Sequence, residues 1–158
     1  MILQEEGWAP RAKWDYRQWT NGYGTKAAGP GEVISREEAG RRFTDEVNRA
    51  SDAVNNVVPD DAPQNVRDAL TSFTFNVGTA WTRGGRLATA VSNGDWNRAA
   101  NIMAGYVHAG GQVVPDLVGR RQREIRLMMQ TPTQPPSVQP AEQPSQPVVS
   151  DPIPNMAA

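Results

Sequence analysis

The sequence predicts an α+β domain: a small β-hairpin region at the front, packed against a mostly helical body, with a cleft where the two meet. Three observations carry this. Residues 16 to 34, YRQWTNGYGTKAAGPGEVI, hold five Gly or Pro in nineteen residues and read as short extended pieces joined by turns. After residue 34, apolar residues recur at helical spacing. The last 28 residues are rich in Pro, Gln and Ser and carry no aromatic residue.

The chain has 158 residues, a length suited to one domain. No stretch approaches 18 apolar residues, so no helix is expected to span a membrane. Residues 1 to 4, MILQ, are too short for a secretory leader, so something else is expected to carry the protein out of a cytoplasm. There is no Cys, which excludes disulfides and thiolate metal sites. The net charge of -1 hides an asymmetry. Residues 1 to 82 sum to -3 (9 basic, 12 acidic), and residues 83 to 130 to +4 (7 basic, 3 acidic). A basic back suggests contact with an anionic surface or polymer; ordinary scatter is the alternative.

The elements follow in order. Asn21-Gly22 is a turn signal between short strands. Ser35 and Glu38 have capping-box spacing. Phe43, Val47, Ala50, Val54 and Val57 then repeat as one helical face, and Pro59 and Pro63 break the run. Pro63 starts a second helix with Val66, Leu70, Phe73 and Val77 on one face, stopping at Gly78. Asn93-Gly94-Asp95 is a turn, residues 96 to 107 read as a half-buried helix, and Gly110-Gly111 breaks it. Asp116 can cap a last helix whose buried side is Leu117, Val118, Ile125 and Met128. Arg120, Arg121, Arg123 and Arg126 form its wet or anion-facing side. The folded domain is residues 1 to 130. Residues 131 to 158, with 8 of the 13 Pro, cannot bury enough apolar surface to offset ordering and read as a disordered tail.

The chemistry narrows by exclusion. The lone His108 has no helical partner ligand, and no nucleophile elbow, zinc spacing or phosphate loop is present, so neither metal nor cofactor is expected. His108 is then either structural or a lining of the cleft. Carboxylates remain. Two of them suffice for acid–base chemistry when one is held protonated by apolar cover and the other stays ionised among donors. Glu6 follows the apolar pair Ile2-Leu3 and precedes Gly7 and Trp8. Asp15 lies between Trp14 and Tyr16 at the start of the hairpin, with Thr20 following on the first strand, where its hydroxyl could help orient a water. Trp8, Trp14, Trp19 and Tyr23 offer flat faces of the kind that stack on sugar rings.

Glu6-Gly7, Asp15 and WTNGYGT at 19 to 25 resemble the opening of the phage-type lysozymes, the endolysin family of muramidases that includes the T-even phage enzyme. Their motif runs Glu-Gly, Asp, Thr, Gly-x-Gly; the gaps here are nine and five. ISREEAGRRFTDEV resembles the family's first long helix, and DALTSFTFNVGTAW its central helix ending in Phe-Asn-x-Gly. NGDWNRAANIMAGYVHAGGQVVPDLVGRRQREIRLM resembles its C-terminal helices. The resemblance covers about residues 1 to 130 and implies a lysozyme-like fold.

It also implies hydrolysis of the β-1,4 bond between N-acetylmuramic acid and N-acetylglucosamine in peptidoglycan. Glu6 would be the general acid, with Glu5 as its rival, and Asp15 and Thr20 would hold the attacking water with inversion. Trp19, Gly22, Tyr23, Gly24, Asn76 and His108 would meet substrate; for Asn76 the alternative is a helix cap. A monomer is implied, acting on wall glycan strands in the periplasm after waiting in the host cytoplasm for a holin, with no nucleic-acid partner and no membrane insertion.

Two departures stand out. The family has a longer helix before its Glu, where five residues precede Glu6, and an apolar residue after the Thr, where this chain has Asn21. Asn21 would loosen the strand or flip its register. The rival readings are a lytic transglycosylase on the same glycan, which does not need Asp15, and a non-catalytic wall-binding or virion structural protein.

Overall fold

A computed structural model describes residues 2, 7–15 and 18–131. The tail from 132 on, and Glu5, Glu6, Tyr16 and Arg17, lie outside the described residues. Three strands come first: β1 (Ala9–Asp15), β2 (Gln18–Gly22) and β3 (Thr25–Lys26). They form an antiparallel sheet in the order β1-β2-β3. Its register is Asp15 opposite Gln18, Trp14 opposite Trp19 and Thr20 between Lys13 and Lys26. The β1–β2 ladder shifts register between the Ala9–Gly22 and Lys13–Thr20 pairs, so the shift expected at Asn21 does fall opposite that residue, while on its other side Asn21 pairs regularly with Thr25.

The β2–β3 turn falls one residue later than the Asn21-Gly22 signal. The Gly24 N–H donates to the Asn21 carbonyl at 3.1 Å, which makes Gly22 and Tyr23 the central pair. Gly22 adopts φ 62°, and a Cβ there would meet the Ala39 Cβ at 2.9 Å. Glycine therefore serves both the turn and the close approach of β2 to the next helix.

That helix, α1 (Arg36–Asn55), starts as expected: the Ser35 Oγ accepts from the Glu38 N–H at 3.1 Å. Only half of the capping box forms, because the Glu38 carboxylate turns to Arg41 and Arg42 instead. At about 30 Å long, α1 joins two regions. Ala39, near its start, is buried beside the sheet, while Val54, near its end, enters the helical core. α2 (Gln64–Val77) follows Pro63 and closes on Gly78 at φ 88°. Arg67 ties the intervening loop down by donating to the carbonyls of Pro59, Asp60 and Ala62.

A short 3-10 turn (Ala80–Arg83) and α3 (Arg86–Ser92) come next, both unforeseen. Seven residues are too few for a helical period to declare itself. α4 (Trp96–Met103) is capped by the Asp95 carboxylate, which accepts from the Arg98 N–H at 3.0 Å. It ends four residues before the expected Val107. Gly110-Gly111 is the turn of a small hairpin, β4 (His108–Ala109) with β5 (Gln112–Val113), and not merely a break.

α5 (Pro115–Met128) closes the body. Val114, not Asp116, takes its N-cap position, because Pro115 supplies the first helical residue without an N–H to satisfy. Leu117, Val118 and Ile125 are only half-buried. The expectation of a wet arginine face fails for Arg120 and Arg121, which are 6% and 1% exposed. Arg123 and Arg126 are exposed, as expected.

α2 is the central helix, with α1 on one side and α5 on the other. Val66, Leu70 and Phe73 project from it into a core shared with Leu87, Val91, Met103 and Met128. Trp81 caps this core, its indole N–H donating to the Thr74 hydroxyl at 3.0 Å. Among the described residues, no helix is long and apolar enough to cross a membrane.

Candidate active site

A pocket of about 250 Å³ opens where the sheet meets the helical body. The sheet side supplies Gln18, Gly24, Thr25 and Lys26; α1 supplies Glu46 and α2 supplies Phe75. The register brings two of the expected catalytic positions to this sheet. Asp15 ends β1 opposite Gln18, and Thr20 lies two rows further in, opposite Lys13, with the Trp14–Trp19 row between. Strand alternation puts these four positions on one face of the hairpin. Thr20 is buried at 3% exposure.

Glu6, the expected acid, lies outside the described residues, but the segment that follows it is anchored. The Trp8 ring lies 5.4 Å from that of Tyr23, and the Arg36 guanidinium sits 5.1 Å over Trp8. Tyr23 touches Phe43 in turn at 5.7 Å, and Phe43 touches Phe75 at 5.4 Å. A row of four rings therefore runs from the N-terminal segment across the β-turn to α1 and α2. Tyr23 is half-buried within that row.

The other expected substrate residues are dispersed. Trp19 lies in β2 opposite Trp14, which is 59% exposed. Gly22 is buried against Ala39, whereas Gly24 lines the pocket. Asn76 is exposed near the end of α2, and its Oδ1 accepts from Arg121 Nη2 at 2.7 Å. It does not cap the helix, since Gly78 takes that place. His108 is exposed on β4 and lines neither this pocket nor a larger cavity of about 510 Å³ between α1, α2 and the end of α5. The larger cavity holds none of the expected site residues.

Gln18, Lys26 and Glu46 were not anticipated as cleft residues. Two could have been found from spacing, because Gln18 is two residues before Thr20 on the same strand and Glu46 is three after Phe43 on a helix. Lys26 needed the β2–β3 register. Among the described residues, no group of three or more His, Cys, Asp or Glu could hold a metal ion.

Two charge clusters lie outside the pocket lining. On the sheet side, Glu32 accepts from Arg42 at 2.8 and 3.2 Å, from the Ala28 N–H at 2.9 Å and from the Asn21 amide at 3.0 Å. The Arg42 bonds, followed by Ala28 and Asn21, hold the Glu32 carboxyl down at about 2, against an ordinary 4.5. A lowered folded-state value means that this stabilisation is fully present above about pH 4.5 and is lost as pH falls toward 2. Glu32→Gln is therefore expected to lose stability less steeply than the parent across that window in acid unfolding monitored by circular dichroism. Equal slopes would remove Glu32 from the acid response.

Behind α2, Glu124 is 0% exposed between Arg120 and Arg121. It accepts from the Ser72 hydroxyl at 2.8 Å and pairs with Arg120 at 3.2 Å and Arg121 at 3.0 Å. Burial pushes its carboxyl up, opposed by Arg121, Ser72 and Arg120. The Arg121 guanidinium also lies 4.7 Å over the Phe73 ring.

A small sheet and a helical body joined by one long helix, with a cleft between them, define a lysozyme-like α+β protein. The sequence profile of the phage lysozyme family matches residues 3–124, and the chain belongs to that family. It is 33% identical over 115 residues to an endolysin of Bacillus phage B103, an alignment covering 72% of this chain. The chain spans 44% of that relative's length, so it corresponds to less than half of the larger protein. Among solved structures it is similar to the muramidase domain of SpmX from Asticaccaulis excentricus. That likeness has a TM-score of 0.70 and 29% identity, and covers 82% of this chain and 92% of the other. An endolysin from Escherichia coli O157:H7 phage FAHEc1 gives 0.68 and 26%, covering 81% and 87%.

Proposed function

We propose that the chain is a muramidase that hydrolyses the β-1,4 bond between N-acetylmuramic acid and N-acetylglucosamine in peptidoglycan, with inversion. Glu6 protonates the leaving oxygen, while Asp15 and Thr20 hold and activate the attacking water. The observation that carries this reading is the shared hairpin face of the Asp15 and Thr20 positions, two ladder rows apart, on the sheet whose Gln18 and Lys26 line the cleft. An inverting site needs roughly 6.5 to 9.5 Å between its two carboxyls so that the water fits between them. A short tether such as Gly7-Trp8, docked on Tyr23, suits the placement of an acid across from a strand end. Trp19, Gly22, Tyr23, Gly24, Asn76 and His108 are proposed to contact glycan. The enzyme acts as a monomer on the wall, reached from the host cytoplasm once a holin opens the inner membrane.

The test is digestion of purified peptidoglycan, with mass analysis of the muropeptides and NMR of the first-formed anomer. Reducing muramic acid ends appearing as the α-anomer, and lost in Asp15→Asn and Thr20→Ala, are the expected result. Anhydro-muramic ends would make the protein a transglycosylase. No products from the folded parent would leave a binding or structural role.

A further inference from the structure

Asn21 stands where the family carries an apolar residue, yet it is 1% exposed. A buried amide is costly unless it is bonded. Its Nδ2 donates to Glu32 Oε2, the oxygen that also accepts from the Ala28 N–H and from Arg42 Nη1. Glu32 Oε1 takes Arg42 Nη2, and Arg42 Nε reaches back to Glu38 Oε1 at 2.7 Å, one turn earlier on α1. A single carboxylate thus ties together strand β2, the loop after β3 and helix α1.

The next residue, Gly22, is seated on Ala39 of the same helix with no room for a Cβ. Two successive residues of β2 are therefore pinned to α1, directly after Thr20. The far end of α1 is buried in the helical core, so the sheet's position is referred to the rest of the body. A slip of one residue in β2 would turn Thr20 to the opposite face.

We propose that Glu32 is a positioning residue: through Asn21 and Arg42 it holds β2, and with it Thr20, in register against α1, and so sets the water-holding side of the cleft. The catalytic part of this rests on the muramidase reading; the mechanical part does not.

Two readouts separate them, both on the full chain. Amide hydrogen exchange by NMR is measured first, on Glu32→Gln and Arg42→Gln. In each, exchange at residues 20 to 22 should rise about tenfold relative to the amides of α2, as expected for local loosening. The second readout is kinetic. Glu32→Gln should lower kcat about tenfold with KM nearly unchanged, because a small misplacement near the chemistry is costly. In an Asn21→Ile background, which removes the amide that links Glu32 to β2, the same change should lower kcat no further. Parental exchange at residues 20 to 22 in both variants would overturn the proposal even if the melting temperature falls. So would an equal loss of kcat with and without Asn21. If the parent cuts no glycan, exchange alone still decides whether Glu32 holds the strand.

Discussion

Replacing Glu6 by Gln is expected to lower kcat on peptidoglycan by about 10²–10⁴-fold, the range assigned to a positioned general acid. Gln keeps the volume and polarity of the side chain but has no proton to give the leaving oxygen. KM should change little, since the lost interaction exists only in the transition state. Glu5→Gln is the matching control, because Glu5 is the neighbouring carboxylate. The physical basis lies in the segment that follows the proposed acid. Gly7 takes φ 60°, a backbone state open to glycine, and Trp8 then docks between Tyr23 and Arg36. This tether brings the end of the segment to the same β-turn that follows Thr20. Steady-state turbidity clearance at several substrate concentrations separates kcat from KM. If Glu5→Gln shows the loss and Glu6→Gln does not, the acid is Glu5. If neither does, the carboxylate mechanism fails.

The largest stability effect is expected at Glu124. Glu124→Ala should destabilise the fold by about 3–5 kcal/mol, the cost of breaking a buried ion pair and leaving its partner charged. Arg120 and Arg121 would remain as buried cations, and the Ser72 hydroxyl would lose its acceptor. Since a domain's whole stability is about 5–15 kcal/mol, most of the margin would go. Urea unfolding measures it as a fall in midpoint with unchanged slope. A loss under about 1 kcal/mol would mean that water reaches the two guanidiniums without cost. The double variant Arg121→Met with Glu124→Met separates charge from packing. Removing both charges should recover a substantial part of the loss, because matched apolar replacement of a buried pair is often neutral. Asn76 gives a second consequence: without Arg121 its Oδ1 loses a 2.7 Å donor.

Much of this molecule was legible from its residues, and the legible parts share a cause. Ser35, Pro63, Gly78 and Asp95 mark helix ends, and each acts through its own backbone or a donor three or four residues away. The Gly22 and Gly24 turn was visible for the same reason, since the chain reversal between β2 and β3 is local. The apolar face of α2 read correctly because Val66, Leu70 and Phe73 follow the helical period. Where short-range signals were weak, the reading slipped. α3 is too brief to show a period, and Gly110-Gly111 concealed a hairpin within what looked like a break.

The polar interior was not legible. Arg120, Arg121 and Glu124 sit on a charged stretch whose periodicity looks solvated. They are buried because Ser72 and Asn76, some 45 to 52 residues earlier, present a hydroxyl and an amide to them across the α2–α5 contact. Asn21 looked like a flaw in β2 until Glu32 and Arg42 came within reach of it. The sequence by itself determined the starts of α1, α2 and α4 and the turn-rich hairpin region at the front, because these depend on neighbours within a few residues. Only the tertiary structure decided which charges are buried. The cost of burying a charge is met by partners that approach through the fold, and no local pattern announces them.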